Sequence, residues 1–454
     1  MKNPIESVRR FYMGNYYPIL VALLVLIGHT TGLDLVFGVL MLSSLILGCF
    51  ICTDFRFAIT PFFCTIFIVT IDHSPNVPYY SRYYLETPVL ITIATLAVIL
   101  IGAMTFFAVR NRAQAQKPVK NGSWVGMAIF CVALCCNGLF SQNYEISNLF
   151  YVFSFLLSLL VVYFLFSAYV RFDRETLRYL MYCLVIAGLL ISVQLVIAYF
   201  TTVRFDANGD VVKESVLLGW GVWTAIGGML AFLLPACFWL AATEKNGWIG
   251  YLLGFFEMLC ILLSQSRGAL LIGGVVLLLC LICLCVKGEY KKRNRILTLG
   301  VAICGVLGCI VLSRQILSLL QNFLDYGFGD NGRFDRWEIG WKHFLDYPVF
   351  GSGFYDSFVN EEWKKDVYPY LYHNTLVQIL GASGLFGFLT YLYHRVCTVR
   401  LVFRRPSFYK TFLGIGIFGL LAFSLLDVLF FNTYPTIFYS MMLLFMDRSD
   451  QIET

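Results

Sequence analysis

Apolar runs of membrane-spanning length follow one another along this 454-residue chain, separated by short polar stretches. They fall roughly at residues 17–31, 33–53, 56–72, 87–109, 123–141, 148–170, 179–200, 217–242, 247–265, 268–286, 296–313, 374–393, 411–431 and 434–446. A helix needs about 17–25 apolar residues to cross the hydrocarbon core. It also satisfies its own backbone hydrogen bonds, which lipid cannot do. The pattern predicts an all-α polytopic membrane protein with about 14 transmembrane helices, residues 1–454 forming a single membrane domain. The third and last runs are short, so about 12 or 13 helices fit nearly as well. One feature breaks the rhythm: a long polar loop at 313–372, with amphipathic helical patterning inside it.

Composition agrees with this pattern. Hydrophobic residues make up 59% of the chain and charged residues 13%, against about a quarter charged in soluble proteins. The N-terminus carries basic residues before its first apolar run and no clear small-x-small cleavage site, which reads as an uncleaved helix rather than a signal peptide. With the N-terminus inside, the inner loops hold most of the 33 Lys and Arg, and the short outer loops hold few. The strong clusters lie at 110–120, 171–178, 287–295 and 394–410. This asymmetry predicts both termini cytoplasmic and the loop 313–372 outside. The net charge of +6 follows from that topology and does not point to nucleic acid. The 15 cysteines lie in apolar runs or inner loops, so no disulfide framework is visible. Cys280, Cys283 and Cys285 read as apolar side chains rather than metal ligands, and five scattered histidines give no metal site.

Two outer loops are modest. Tyr79, Tyr80, Tyr83 and Tyr84 fit an interfacial aromatic belt better than a sugar platform. Asn208-Gly209 marks a turn that fits a small hairpin.

Candidate chemistry gathers late in the chain. Arg267 sits in the polar turn SQSRG between two spans, at their outer ends, where positive charge is scarce. Glu257 and Asp427 lie in apolar runs and suit a helix contact or a cavity wall. In RFDRWEIGWKHFL, helical spacing puts Arg333, Arg336, Gly340 and His343 on one face. Trp337, Trp341, Phe344 and Leu345 form an adjacent apolar stripe. Such a helix suits a membrane surface, stripe down, with its arginines directed sideways. Guanidinium groups match phosphate oxygens and stay charged. Gly351 and Gly353 form a Gly-x-Gly turn, which permits close backbone approach but is common in ordinary loops. His373 stands where the outer loop enters the helix beginning near Asn374. The positive end of a helix dipole disfavours an imidazolium there, leaving a ring able to accept a proton.

In order and spacing these pieces resemble the O-antigen ligase and O-antigen polymerase superfamily of polytopic membrane glycosyltransferases. The resemblance covers 263–390. It rests on SQSRGALL, on NGRFDRW through PVFGSG, and on His373-Asn374 followed nine residues later by Gly384-Leu385-Phe386-Gly387. It implies a glycan donor linked to undecaprenyl diphosphate and handled at the outer face of the inner membrane. Arg267 and Arg333 would hold the diphosphate, with Arg336 assisting, and His373 would be general base on the acceptor hydroxyl. Asn374, Gly351, Gly353 and Trp337 would support them. No metal or other cofactor is implied. Membrane lipid is a further partner, as are export proteins such as a flippase and a chain-length regulator. The large number of spans favours a polymerase of lipid-linked repeat units. The His-Asn-x9-Gly-x-x-Gly pattern favours a ligase acting on lipid A core. A flippase or other transporter of the same lipid-linked sugars is the alternative from another class. Transporters usually show repeated halves and mid-membrane polar residues, whereas polarity here leans to one outer loop.

Overall fold

The computed structural model describes residues 4–70, 87–142, 144, 146–207, 209–286, 288, 290–311, 332–354 and 371–452. The polar stretch 313–372 is thus described only at 332–354 and 371–372. The tyrosine cluster at 79–84 and Asn208 lie outside the described residues.

Among those residues the chain is helical, with only isolated bridges such as Phe205 to Val211, beside the expected turn. The helices are α1 (Pro4–Met13), α2 (Tyr16–Thr31), α3 (Asp34–Ile51), α4 (Ile59–Cys64), α5 (Thr87–Arg110), α6 (Trp124–Cys135), α7 (Ser147–Leu156), α8 (Val162–Tyr169) and α9 (Arg174–Thr201). They continue as α10 (Trp223–Thr243), α11 (Trp248–Leu263), α12 (Arg267–Val286), α13 (Lys291–Val311), α14 (Arg333–Asp346), α15 (Thr375–Phe403), α16 (Phe408–Phe423) and α17 (Thr433–Ile452). A π-helical turn, Leu157–Val161, joins α7 to α8 into one span.

Every apolar run expected to span the membrane contains helix among the described residues. Seven helices among the described residues are long and apolar enough to cross, or up to eight if the bent pair α1 and α2 is one span. The expected count was about 14. The difference has local causes. Phe55–Ile68 is divided between 3-10 and α-helix, and Trp124–Cys135, Trp248–Leu263 and Phe408–Phe423 are short. Helix α13 opens with Lys291, Lys292, Arg293 and Arg295, and α17 closes with Asp447, Arg448 and Asp450.

Helix α10 is the hub. It is fully buried across its apolar window and packs on α9, α11, α12 and α16. Small residues make this possible, as is usual where helices meet without water to drive them together. A Cβ on Gly227 would lie 2.5 Å from Ser264 Oγ, and one on Gly228 2.5 Å from the Phe423 ring. Close packing there brings the starts of α10 and α12 and the end of α16 together at one end of the bundle.

Candidate functional site

The Arg267 turn is built from its serines. Ser264 ends α11 and its Oγ donates to the Ile261 carbonyl at 2.6 Å. Ser266 Oγ accepts from the Ala269 N–H at 3.3 Å and so caps α12. Between them Gln265 adopts a left-handed φ of 59°. The chain thereby reverses within three residues, and Arg267, first in α12, is presented exposed at the bundle end.

Helix α14 lies against the start of α15. The face expected to carry Arg333, Arg336, Gly340 and His343 makes that contact at three of its positions. A Cβ at Gly340 would be 2.5 Å from Val377 Cγ1, so only glycine allows this approach. The Tyr372 hydroxyl meets His343 Nδ1 at 2.6 Å. Arg336 reaches His373. Phe334, Trp341 and Leu345 face outward and are more than half exposed, and Trp337 is half-buried with its indole N–H unpartnered among the described residues.

Gly351 and Gly353 approach another part of the protein. Helix α15 is interrupted at Gly384 (φ 61°, ψ −162°), and the turn after α14 lies across the break. Ser352 N–H donates to Gly381 O at 2.8 Å and Gly353 N–H to Ala382 O at 3.0 Å. In return Leu385 N–H donates to Pro348 O at 2.8 Å and Phe386 N–H to Val349 O at 3.1 Å. A Cβ on Gly351 would come within 2.3 Å of the Ala382 backbone, and Gly351 itself has φ 70°. Glycine is required at both 351 and 384 by this backbone-to-backbone contact.

His373 occupies the bend before α15 with φ 54°, a sparsely populated conformation for a non-glycine residue. Asn374 caps the helix, its Oδ1 accepting from Leu376 N–H at 2.9 Å, while its Nδ2 donates to Leu425 O at 3.0 Å. Thr375 N–H donates to Ser424 O at 2.9 Å. These contacts fix the bend against the turn after α16, and that turn carries Asp427. His373 Nδ1 lies 3.0 Å from Asp427 Oδ1, and Arg336 Nη1 lies 2.6 Å from His373 Nε2. A guanidinium only donates. Nε2 therefore accepts from Arg336, and Nδ1–H donates to the carboxylate. Asp427 is buried and also accepts from Val428 N–H at 2.7 Å. The histidine is thus oriented by a carboxylate, with its second nitrogen turned toward cations.

A third basic side chain joins Arg267 and Arg333. Lys213, in the loop between α9 and α10, sits with its ammonium 5.3 Å from the Trp223 ring centre. Burial, and then the nearby Arg267 and Arg333 charges, lower its pKa against the opposing pull of Glu214. Two arginines 66 positions apart in sequence (333 − 267) thus each act on Lys213. A cavity of about 350 Å³ opens beside His373 and Asp427, walled by Trp220, Thr224, Leu371 and Tyr434.

Asp427 and Lys213 were the residues that sequence reading did not place in the site. Asp427 carried a signal as an acid in an apolar run. Lys213 carried only its position in an outer loop poor in positive charge. Glu257, the other such acid, takes a hydrogen bond from Cys237 Sγ at 3.3 Å and fills space left by Gly188. It belongs to a helix contact.

Residues 252–392 match the family model described as O-antigen ligase. The match supports the O-antigen ligase and polymerase superfamily, as the sequence motifs implied. The O-antigen ligase segment runs from α11 into α15 and contains Arg267, Arg333, Arg336 and His373. Lys213 and Asp427 lie on either side of it, so the fold adds to the segment from both flanks. No curated protein matches the chain.

Proposed function

We propose that this protein is a glycosyltransferase of the inner membrane that polymerises undecaprenyl-diphosphate-linked oligosaccharide repeat units at the outer face, with both termini cytoplasmic. The observation that carries the reading is the His373 arrangement: Nδ1 anchored on buried Asp427 and Nε2 turned toward Arg336, with the Arg267 turn packed at Gly268 against Leu426, beside Asp427. The O-antigen ligase match supports the class of reaction.

In this reading the diphosphate of the donor binds Arg267, Arg333 and Lys213. Arg336 leaves His373 for the phosphate oxygens, which frees Nε2. The acceptor hydroxyl then hydrogen-bonds to Nε2. Its oxygen attacks the anomeric carbon as its proton passes to His373, and the bond from that carbon to the diphosphate breaks. The electron pair leaves with the diphosphate, where the cations stabilise the added charge. Asp427 stabilises the imidazolium and holds its orientation, as a positioning residue. Attack opposite the leaving group gives inversion. Three fixed cations supply the charge neutralisation that a metal would give elsewhere, so activity should survive chelation.

A ligase acting on lipid A core is the second reading, favoured by the description of the matched family. The test is reconstitution of the full chain with an undecaprenyl-diphosphate oligosaccharide, without ATP and with a chelator present. A ladder of longer lipid-linked products supports the polymerase. A single transfer to added lipid A core supports the ligase. No glycosidic bond with either acceptor overturns both.

A further inference from the structure

We propose that the large cavity of mixed polar and apolar lining between the start of α3 and the end of α9 is a subsite for uncharged glycan, holding saccharide units remote from the reacting centre. The proposal rests on the glycosyl-transfer reading above and adds a second binding site to it.

The cavity has a volume of about 820 Å³, more than twice that beside His373, at about 350 Å³. Both lie in the range of small-molecule sites. Its wall carries hydroxyls, an amide, a carboxylate and an imidazole, from Thr31, Thr201, Thr202, Gln194, Asp34 and His29. Among the described residues no lysine or arginine lines it. These groups suit the hydroxyls of a neutral sugar and offer a diphosphate no fixed cation.

The two cavities are neighbours. Leu217 lines both. Trp220, on the wall of the smaller cavity, donates its indole N–H to Gln194 Oε1 at 3.1 Å, and Gln194 lines the larger one. The partition between them is the 217–220 turn. It is pinned by Gly219, which has φ 59° and backbone so close to Val69 and Thr70 that a Cβ would come within 2.4 Å. Gln194 Nε2 donates to Phe67 O at 2.6 Å and fixes the other side. The end of α9 is held at the level of the Arg267 turn by Tyr199, whose hydroxyl donates to Leu263 O at 2.5 Å. Both cavities thus open at the bundle end that holds His373. A glycan with one unit at His373 passes over a fixed partition and places later units in the larger cavity.

The experiment uses the full-length protein in vesicles with acceptors of one repeat unit and of several. Thr201→Trp, which fills the cavity from α9, should lower the ratio of kcat/KM for the long acceptor over the short by about tenfold. Thr31→Trp, entering from the opposite wall, should do the same, and guards against one variant failing to fold. Free oligosaccharide without lipid should bind wild type by calorimetry and bind each variant at least tenfold more weakly. A ratio unchanged in both folded variants overturns the subsite while leaving the transferase reading standing. Absence of any transfer by wild type overturns the transferase reading, and the subsite with it.

Discussion

At the end of the bundle where both described termini lie, basic side chains are consumed by structure. Lys410 is buried, donating to Asp450 at 2.5 Å and to the Arg404 carbonyl at 2.8 Å. Arg404 meets the same carboxylate at 3.2 Å. Arg178 pairs with Glu244 at 2.6 Å, Arg293 donates to the Lys245 carbonyl at 2.6 Å, and Arg448 donates to the Lys117 carbonyl at 2.8 Å. At the opposite end, the Arg267 and Arg333 charges both act on Lys213, and Arg336 donates to a histidine. Like charges brought together raise the energy of the empty fold. An anion reverses the sign of that term. The contrast teaches that basic residues close helix ends at one end of the bundle, while at the other they lie where the proposed function needs cations.

The largest test of this contrast is His373→Ala or Arg267→Ala. Either should lower transfer by at least about a thousandfold, the upper part of what a general base or a charge-stabilising donor supplies. Quantified product ladders, with membrane insertion checked in parallel, measure it; near-wild-type rates would break the assignment. Next, Asp427→Asn should reduce kcat by roughly a hundredfold with KM little altered, and Asp427→Glu should recover part of it. A change confined to KM would mean the carboxylate contacts substrate instead.

Lys213→Met should raise the donor KM by about tenfold, one charged contact's worth. The lowered pKa adds a pH test. As pH rises through the lowered value, Lys213 loses its charge and donor KM should climb, and Lys213→Arg should remove that rise. The sign for stability is opposite: the unfolded chain holds this proton more tightly, so the empty fold gains stability from this group as pH rises from the lowered value toward 10.5. Smallest is Arg178→Ala at the other end. The pair is half exposed, and its loss should cost less than about 1 kcal/mol in thermal unfolding and leave kcat unchanged.

Much of this was readable from residues in order. The helical frame follows from apolar runs, and Arg267, Arg333, Arg336 and His373 stand out as polar groups at helix mouths. The spacing that put Arg336, Gly340 and His343 on one face holds in α14. What periodicity does not encode is pairing across the chain. The His373–Asp427 contact joins residues 54 apart, and depends on Thr375 and Asn374 bonding to the turn after α16. The influence of Arg267 and Arg333 on Lys213 joins three separate parts of the chain, and the turn carrying Arg267 is held against α10 through Gly227. Among the described residues seven helices, or up to eight, have the length and composition of a span against about 14 apolar runs, because apolarity does not reveal where a helix stops: α6 and α16 end before the apolar run does.

The break at Gly384 bears on how a substrate arrives. Leu385 and Phe386 begin a new helical half, and their N–H groups are capped by the Pro348 and Val349 carbonyls of the turn after α14. Lifting that turn would strip two donors of their partners in a setting poor in water, each at a cost of about 1–3 kcal/mol. The turn is therefore a poor door. Under the proposed function a lipid-borne glycan reaches His373, and its product leaves, with that turn still in place.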